Sequence, residues 1–140
     1  MTRRFARQAT GLLGAGAILL WAVGGAAGAA QPARSVNDGV YTTAQAERGA
    51  KIFDKTCTAC HDTARFTGAE FTSAWTGLPL KGLFDAVQTM PEDNPGSLPP
   101  QEYADIIAFF LQLNQYKPGE SELMGNAEAM GAVAMEARKP

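Results

Sequence analysis

Residues 57–61, Cys-Thr-Ala-Cys-His, contain both cysteines and the only histidine of the chain. Two thiols separated by two residues can reach the two vinyl groups along one edge of a porphyrin. A histidine directly after them is carried to one face of the ring, where its imidazole can ligate iron. This spacing is typical of c-type haem attachment. It predicts covalent haem on Cys57 and Cys60 and an axial iron ligand at His61.

The same Cys-x-x-Cys pair has two other interpretations, a redox-active disulfide and half of a zinc site. A structural zinc site usually needs four ligands, and two cysteines and one histidine supply at most three of the usual soft or imidazole ligands. A thioredoxin-like protein has a βαβ context around its motif, whereas the flanking residues here have a helical pattern. Haem attachment is therefore the favoured interpretation.

The N-terminal 29 residues have the pattern of an export signal. Arg3, Arg4 and Arg7 precede an uncharged stretch over residues 11–25, and Ala27-Gly28-Ala29 is a small-x-small cleavage signature. The uncharged stretch is short for a membrane span, which needs about 20 apolar residues. We expect cleavage after Ala29 and a periplasmic location. The alternatives are an uncleaved anchor, which would place the protein at the membrane, and twin-arginine export.

Length and charge limit the remaining chain to one small acidic domain. Removing residues 1–29 leaves 111 residues, with nine basic and 14 acidic side chains and a net charge of −5. Nucleic acids and anionic membranes favour basic patches, so neither is an expected partner. Basic protein partners fit this charge.

The rest of the chain predicts an all-α fold, since its apolar residues recur at helical spacing. Residues 30–41 form an expected flexible lead-in, residues 42–117 the domain, and residues 118–140 a tail that wraps the domain, forms a short helix or is partly disordered. A first helix begins at Thr42 or Thr43 and ends near Thr56, and Thr42 with Gln45 suggests a capping box.

Two further helices are predicted, one from Pro79 or Leu80 to Gln88 and one from Pro100 to about Asn114. On the last helix an apolar stripe faces the core, formed by Tyr103, Ile106, Ile107, Phe110 and Leu111. The polar side chains are left for the other side, namely Gln101, Glu102, Asp105, Gln112 and Asn114.

From Thr43 to about Leu123 the chain resembles the class I c-type cytochromes, small helical domains that carry electrons. The resemblance rests on the haem motif, on Gly49 and Phe53 in the first helix, on Met90-Pro91, and on the segment Glu102 to Phe109. It implies that the first and last helices cross, with Gly49 and Phe53 against Ile106 and Phe109. Small periplasmic cytochromes and the haem domains of quinone-dependent dehydrogenases are the most similar subgroup.

The resemblance also implies that Met90 is the sixth iron ligand. Met90 lies between a helix and a proline-rich loop, whereas Met124, Met130 and Met135 lie in the tail. Packing in the core is the alternative role of a methionine. The expected haem pocket includes Phe66, Trp75, Leu83 and Pro91. Trp75 has two interpretations, a hydrogen-bond donor to a haem propionate and a packing aromatic.

Another family feature has no counterpart in this chain. Many members hold the Nδ1 proton of the axial histidine on a proline carbonyl after the motif, and no proline lies between His61 and Leu78. The acceptor for the His61 proton is therefore unassigned.

These features predict a periplasmic carrier of single electrons with one covalent haem c and His/Met-ligated iron. Expected partners are a dehydrogenase donor and an oxidase or other cytochrome acceptor, with Glu92 and Asp93 on a solvated docking rim. A dedicated subunit of a dehydrogenase is a variant of this hypothesis. The main alternative is a five-coordinate haem protein that acts as a gas sensor or enzyme, and a thiol-disulfide protein is a third.

Overall fold

The computed structural model of the protein describes residues 34–140 and confirms the predicted all-α fold. In this part of the chain the helices are α1 Thr43–Thr56, α2 Gly68–Trp75, α3 Leu80–Gln88, α4 Pro100–Leu113 and α5 Ala127–Gly131. Two 3-10 turns, Val36–Asp38 and Thr63–Phe66, precede α1 and α2. Two short strands, β1 Arg34–Ser35 and β2 Val133–Ala134, pair in parallel.

The predicted export signal over residues 1–29 lies outside the described residues, as do residues 30–33 of the expected lead-in. Among residues 34–140 no helix has the length and apolar character that a membrane crossing requires.

Helix α1 begins as predicted, with Thr42 as its N-cap. The Thr42 hydroxyl accepts a hydrogen bond from the Gln45 amide at 3.1 Å. The return bond of a capping box is not formed, because the Gln45 side chain is fully buried and bonds instead to Asp105 and Leu123. The expected capping box is therefore only half present, and Gln45 links α1 to the rest of the domain.

The crossing of α1 and α4 is the main packing contact of the described residues, and Gly49 lies at its centre. A Cβ atom placed ideally on Gly49 would lie 1.8 Å from the carbonyl oxygen of Asp105 and 2.9 Å from the amide nitrogen of Ile106. Phe53, one turn further along α1, packs with its ring centroid 5.6 Å from that of Phe109. The expected close crossing is confirmed, and only glycine fits at position 49.

The apolar face of α4 was predicted correctly, and α3 also turns an apolar face to the core. All five residues of the α4 stripe are buried, as are Leu80, Leu83 and Phe84 of α3, whereas Val87 is partly buried. Helix α4 begins at Pro100, and Pro99 before it provides no side-chain cap.

Asp105 was expected on the outward side of α4, and this expectation is wrong. Its side chain is buried and accepts hydrogen bonds from the side-chain amide Nε2 of Gln45 at 3.0 Å and from Arg48 Nε at 2.9 Å. Arg48 also pairs with Glu122, and these bonds raise the pKa of its guanidinium. A buried carboxylate is tolerated where charged and polar donors compensate its lost hydration.

The lead-in from residue 34 to residue 41 is packed, in contrast to the expected loose segment. Val36, Val40 and Tyr41 are buried, and the Tyr41 hydroxyl donates to the carbonyl of Tyr116. Burial raises the pKa of Tyr41 to about 12. The physical reason is that these side chains complete the apolar core, which a pattern of Ser, Asn and Gly around them does not indicate.

The tail wraps the domain and includes the short helix α5, so two of the three open alternatives describe it. Its buried side chains are Leu123, Met130, Val133 and Met135. The Met135 amide donates to the Leu78 carbonyl at 2.9 Å, and the Gly77 amide donates to the Met135 carbonyl at 2.8 Å. The tail thus binds the connection between α2 and α3.

Gly49→Ala is expected to lower the free energy of unfolding by about 1–3 kcal/mol, because the added methyl forces α1 away from α4. Gly82→Ala is the matched control in α3, since a Cβ there would lie 3.7 Å from the Trp75 ring, an ordinary contact. That variant is expected to be neutral or more stable by up to about 1 kcal/mol. Thermal unfolding of both holoproteins is the measurement, and an unchanged midpoint for Gly49→Ala would contradict the tight crossing.

Candidate functional site

Residues 57–61 form a compact turn directly after α1. The Cys57 amide donates to the Phe53 carbonyl at 2.8 Å and ends the helical pattern of bonds. The amides of Cys60 and His61 then both donate to the Cys57 carbonyl, at 3.1 and 2.9 Å. This turn keeps the two thiols and the imidazole close together in the chain, as covalent haem attachment requires.

The two thiols are free and differ in their surroundings. Cys57 is partly buried against the core, whereas Cys60 is exposed. Burial raises the pKa of the Cys57 thiol, because the thiolate loses hydration there. Neither side chain is committed to a disulfide, so both sulfurs are available for thioether bonds.

The His61 ring rests against an aromatic stack. It meets Phe66 edge to face with ring centroids 5.6 Å apart, and Phe66 stacks in parallel on Phe110 at 4.4 Å. Phe110 is a buried residue of α4, so the stack connects the imidazole to the core. Within residues 34–140 no atom accepts a hydrogen bond from this ring, and the acceptor of its proton stays unassigned.

Asn114 anchors the segment after the motif, a role that the sequence analysis missed. Its side-chain amide donates to the carbonyls of Phe66 and Phe110, both at 2.8 Å, and its oxygen accepts from the Gly68 amide at 2.9 Å. We expected Asn114 on the outer side of α4, because the helical spacing of the apolar stripe leaves the polar residues for that side. The one available signal is its position at the helix C-terminus, where asparagine often satisfies main-chain groups.

Met90 is partly buried and lies two residues after α3. Its amide donates to the Val87 carbonyl at 3.0 Å, which continues the turn of the helix. Its carbonyl accepts from the hydroxyl of Tyr103 at 3.0 Å. Pro91, which follows, is also partly buried. The main chain of Met90 is therefore held from both sides, by α3 and by α4.

The other methionines of the described residues have different surroundings. Met130 and Met135 are fully buried core residues of the tail, and Met124 is 55 % exposed. Because they are buried, Met130 and Met135 have a packing role in the core. Met124 is exposed and contributes little to core packing.

The other expected pocket residues occupy two environments. Phe66 and Trp75 are partly buried and pack against the core, whereas Leu83 is buried within it. Trp75 ends α2, and its ring lies beside Gly82 of α3. Among the described residues nothing accepts a hydrogen bond from its indole. Trp75 packs as an aromatic side chain on the core, and its contact with a haem propionate stays a prediction.

A cleft of about 660 Å³ lies elsewhere, between α2, the end of α4 and the tail. Its lining includes Thr72, Asn114 and Arg138, and it contains none of the predicted haem ligands. The candidate site is therefore the Cys57–His61 turn and not this cleft.

The residues of the site fit a covalent haem. Two free thiols and one imidazole come from a single turn, and a partly buried thioether comes from the loop before α4. Partly buried apolar side chains pack on the core in these same elements and their neighbours, namely Ile52, Phe66, Trp75, Val87, Leu98 and Phe109. Across residues 34–140 no group of three or more Cys, His, Asp or Glu side chains could hold a metal ion.

Residues 44–110 match the family described as "Cytochrome C oxidase, cbb3-type, subunit III". The matching segment begins in α1 and ends in α4, so it contains the Cys57–His61 turn and Met90. The chain has no significant match among curated proteins or among solved structures. The match and the helical fold together support a c-type cytochrome domain and, with it, electron transfer by haem.

Proposed function

We propose that the protein is a periplasmic carrier of single electrons with one covalent haem c. In this proposal Cys57 and Cys60 form the thioether bonds, and His61 and Met90 are the axial ligands of the iron. The observation that supports it most is the Cys57–His61 turn, in which two free thiols and an imidazole follow the helix that packs on α4. The family match over the same segment supports a haem-bearing domain.

The bound haem would supply a one-electron couple between ferric and ferrous iron. His61 would be oriented by Phe66, whose ring is itself backed by Phe110. Met90 would keep water and other ligands away from the sixth position, and its thioether favours the ferrous form. Because α3 and α4 hold the main chain of Met90 and the aromatic stack backs His61, these side chains would need little rearrangement when an electron enters or leaves.

We further propose a dehydrogenase donor and an oxidase or another cytochrome as acceptor. The printed description of the matching family names an oxidase subunit, which supports the acceptor side. The resemblance to dehydrogenase-associated haem domains supports the donor side and the dedicated-subunit variant. Glu92 and Asp93 are exposed beside Met90, where an acidic rim suits a basic partner. Copurification from the native periplasm distinguishes a free carrier from a bound subunit.

Cys57→Ala and Cys60→Ala are each expected to lower covalently bound haem sharply in a host that matures c-type cytochromes, and the double variant is expected to retain none. Covalent attachment is measured by the haem signal that stays with the chain after denaturing electrophoresis. Ala59→Ser is the matched control, because it changes an exposed side chain between the two cysteines and leaves both sulfurs in place. Covalent haem at the parent level in both cysteine variants would refute the attachment assignment.

Met90→Ala is expected to abolish the weak methionine-iron band at the red end of the ferric spectrum and to lower the midpoint potential, because the thioether no longer reaches iron. Covalent haem should persist, since Cys57, Cys60 and His61 are unchanged. The measurements are the ferric absorbance spectrum and a redox titration.

Met124→Ala is the control for this experiment, because Met124 is the exposed methionine and its loss opens no core cavity. It should leave spectrum and potential as in the parent. A band that survives in Met90→Ala would exclude Met90 as the ligand. A parent protein that lacks the band and binds carbon monoxide readily would favour the five-coordinate sensor or enzyme instead.

A further inference from the structure

We propose that Tyr103 is a positioning residue for Met90, acting through its phenolic hydroxyl. This inference rests on the proposed function, in which Met90 ligates iron. Tyr103 lies on α4, whose sequence pattern explains only the burial of its ring. The hydroxyl at the end of that ring has a second role, because it meets the main chain of the loop that carries Met90.

The Tyr103 hydroxyl joins the two ends of this loop. It donates to the carbonyl of Met90 at 3.0 Å and accepts from the amide of Leu98 at 3.3 Å. Met90 and Leu98 are eight positions apart, and the residues between them are mostly exposed. One side chain from the core therefore closes the loop at its base.

A main-chain bond within the loop supports the same closure. The Gly96 amide donates to the carbonyl of Gln88, the last residue of α3, at 2.9 Å. Gly96 has a φ of +73°, a left-handed conformation that favours glycine. This bond holds the loop to α3, whereas the Tyr103 hydroxyl holds Met90 to α4.

The hydroxyl cannot be replaced easily by water. Tyr103 is 1 % exposed, so loss of its oxygen leaves the Met90 carbonyl and the Leu98 amide without their shared partner at a partly buried place. A main-chain group left unpaired in such a place costs free energy. The loop is then expected to move outward to reach water, and the Met90 side chain moves with its main chain.

The main-chain groups of Met90 make only two hydrogen bonds among the described residues. Its amide donates to the Val87 carbonyl, and its carbonyl accepts from the Tyr103 hydroxyl. Loss of the second leaves its position fixed by α3 alone. The methionine side chain is flexible, so its sulfur occupies many positions around the main chain. The position of the main chain therefore sets how often the sulfur lies where iron can bind it. Tyr103 thus favours the methionine-bound state over an open state.

The test is Tyr103→Phe in the matured holoprotein, a change that keeps the ring and removes only the oxygen. Imidazole binding to the ferric protein is titrated, since imidazole competes with Met90 for the sixth position. We expect imidazole to bind about tenfold more tightly than to the parent, because two modest hydrogen bonds to the loop are lost. The methionine-iron band should weaken while covalent haem remains at the parent level.

Tyr41→Phe is the matched control. Tyr41 is also buried, and its hydroxyl also donates to a main-chain carbonyl, that of Tyr116, far from the Met90 loop in the chain. This variant should lose stability through the missing bond and yet bind imidazole as the parent does. Equal tightening in both variants would show a general loosening of the domain and would overturn the positioning role.

Two outcomes separate this inference from the proposed function. A parent without the methionine-iron band overturns the ligation by Met90, and the positioning role with it. A parent that has the band, together with a Tyr103→Phe variant whose imidazole affinity is unchanged, overturns the positioning role alone.

Hydrogen exchange on the parent holoprotein gives an answer even where Tyr103→Phe does not mature. The Leu98 amide is expected to exchange at least about tenfold more slowly than the Asp93 amide, which has no acceptor within residues 34–140. Equal exchange rates at Leu98 and Asp93 would overturn the bond on which the inference depends.

Discussion

The main chains of α1 and α4 touch at Gly49, where the space for a side chain is taken by the carbonyl group of Asp105. This contact sets how far apart the two longest described helices lie. The Cys57–His61 turn leaves the end of α1, and the aromatic stack behind His61 includes Phe110 of α4. A shift of one helix against the other would therefore move the thiols relative to the ring that backs the imidazole.

The α1–α4 contact also explains why Asp105 tolerates burial. Close helices bring the carboxylate within reach of Gln45 and Arg48, which lie 60 and 57 positions away in the chain. Gln45 is shared further, since it donates to the Leu123 carbonyl at 2.8 Å and accepts from the Leu123 amide at the same distance. A polar network of this kind links two helices and the tail, and each member has a partner.

Local patterns in the sequence predicted the parts of the fold that depend on local rules. The apolar stripe of α4 repeats at helical spacing, and Thr42 marks the start of α1. The crossing of α1 and α4 at Gly49 was instead expected from the resemblance to c-type cytochromes. The error at Asp105 and the missed role of Asn114 have a related cause. A charged or polar residue is assigned to solvent by its type, whereas the burial of Asp105 and the bonds of Asn114 to Phe66 and Gly68 depend on partners that are remote in sequence.

The segments that escaped prediction are those whose contacts are mostly non-local. Helix α2 is short, has no side-chain cap and buries no residue completely, so its pattern carries little helical signal. The tail is rich in Ala, Gly and Met, a composition compatible with several structures, and its path is decided by bonds to Gly77, Leu78 and the lead-in. The role of the Tyr103 hydroxyl could not be predicted either. The ring of Tyr103 fits the apolar pattern of α4, and that pattern says nothing about the partners of the hydroxyl.

The parallel pairing of β1 with β2 closes the described chain into a ring without a covalent link. Ser35 and Glu136 are joined by a side-chain hydrogen bond across 101 positions, and Asn37 adds bonds to Ala137 and Lys139. Closing so long a loop costs conformational entropy, which these bonds must offset. Neither end of the ring can fray on its own without also releasing the other, so the two ends are expected to unfold as one cooperative unit.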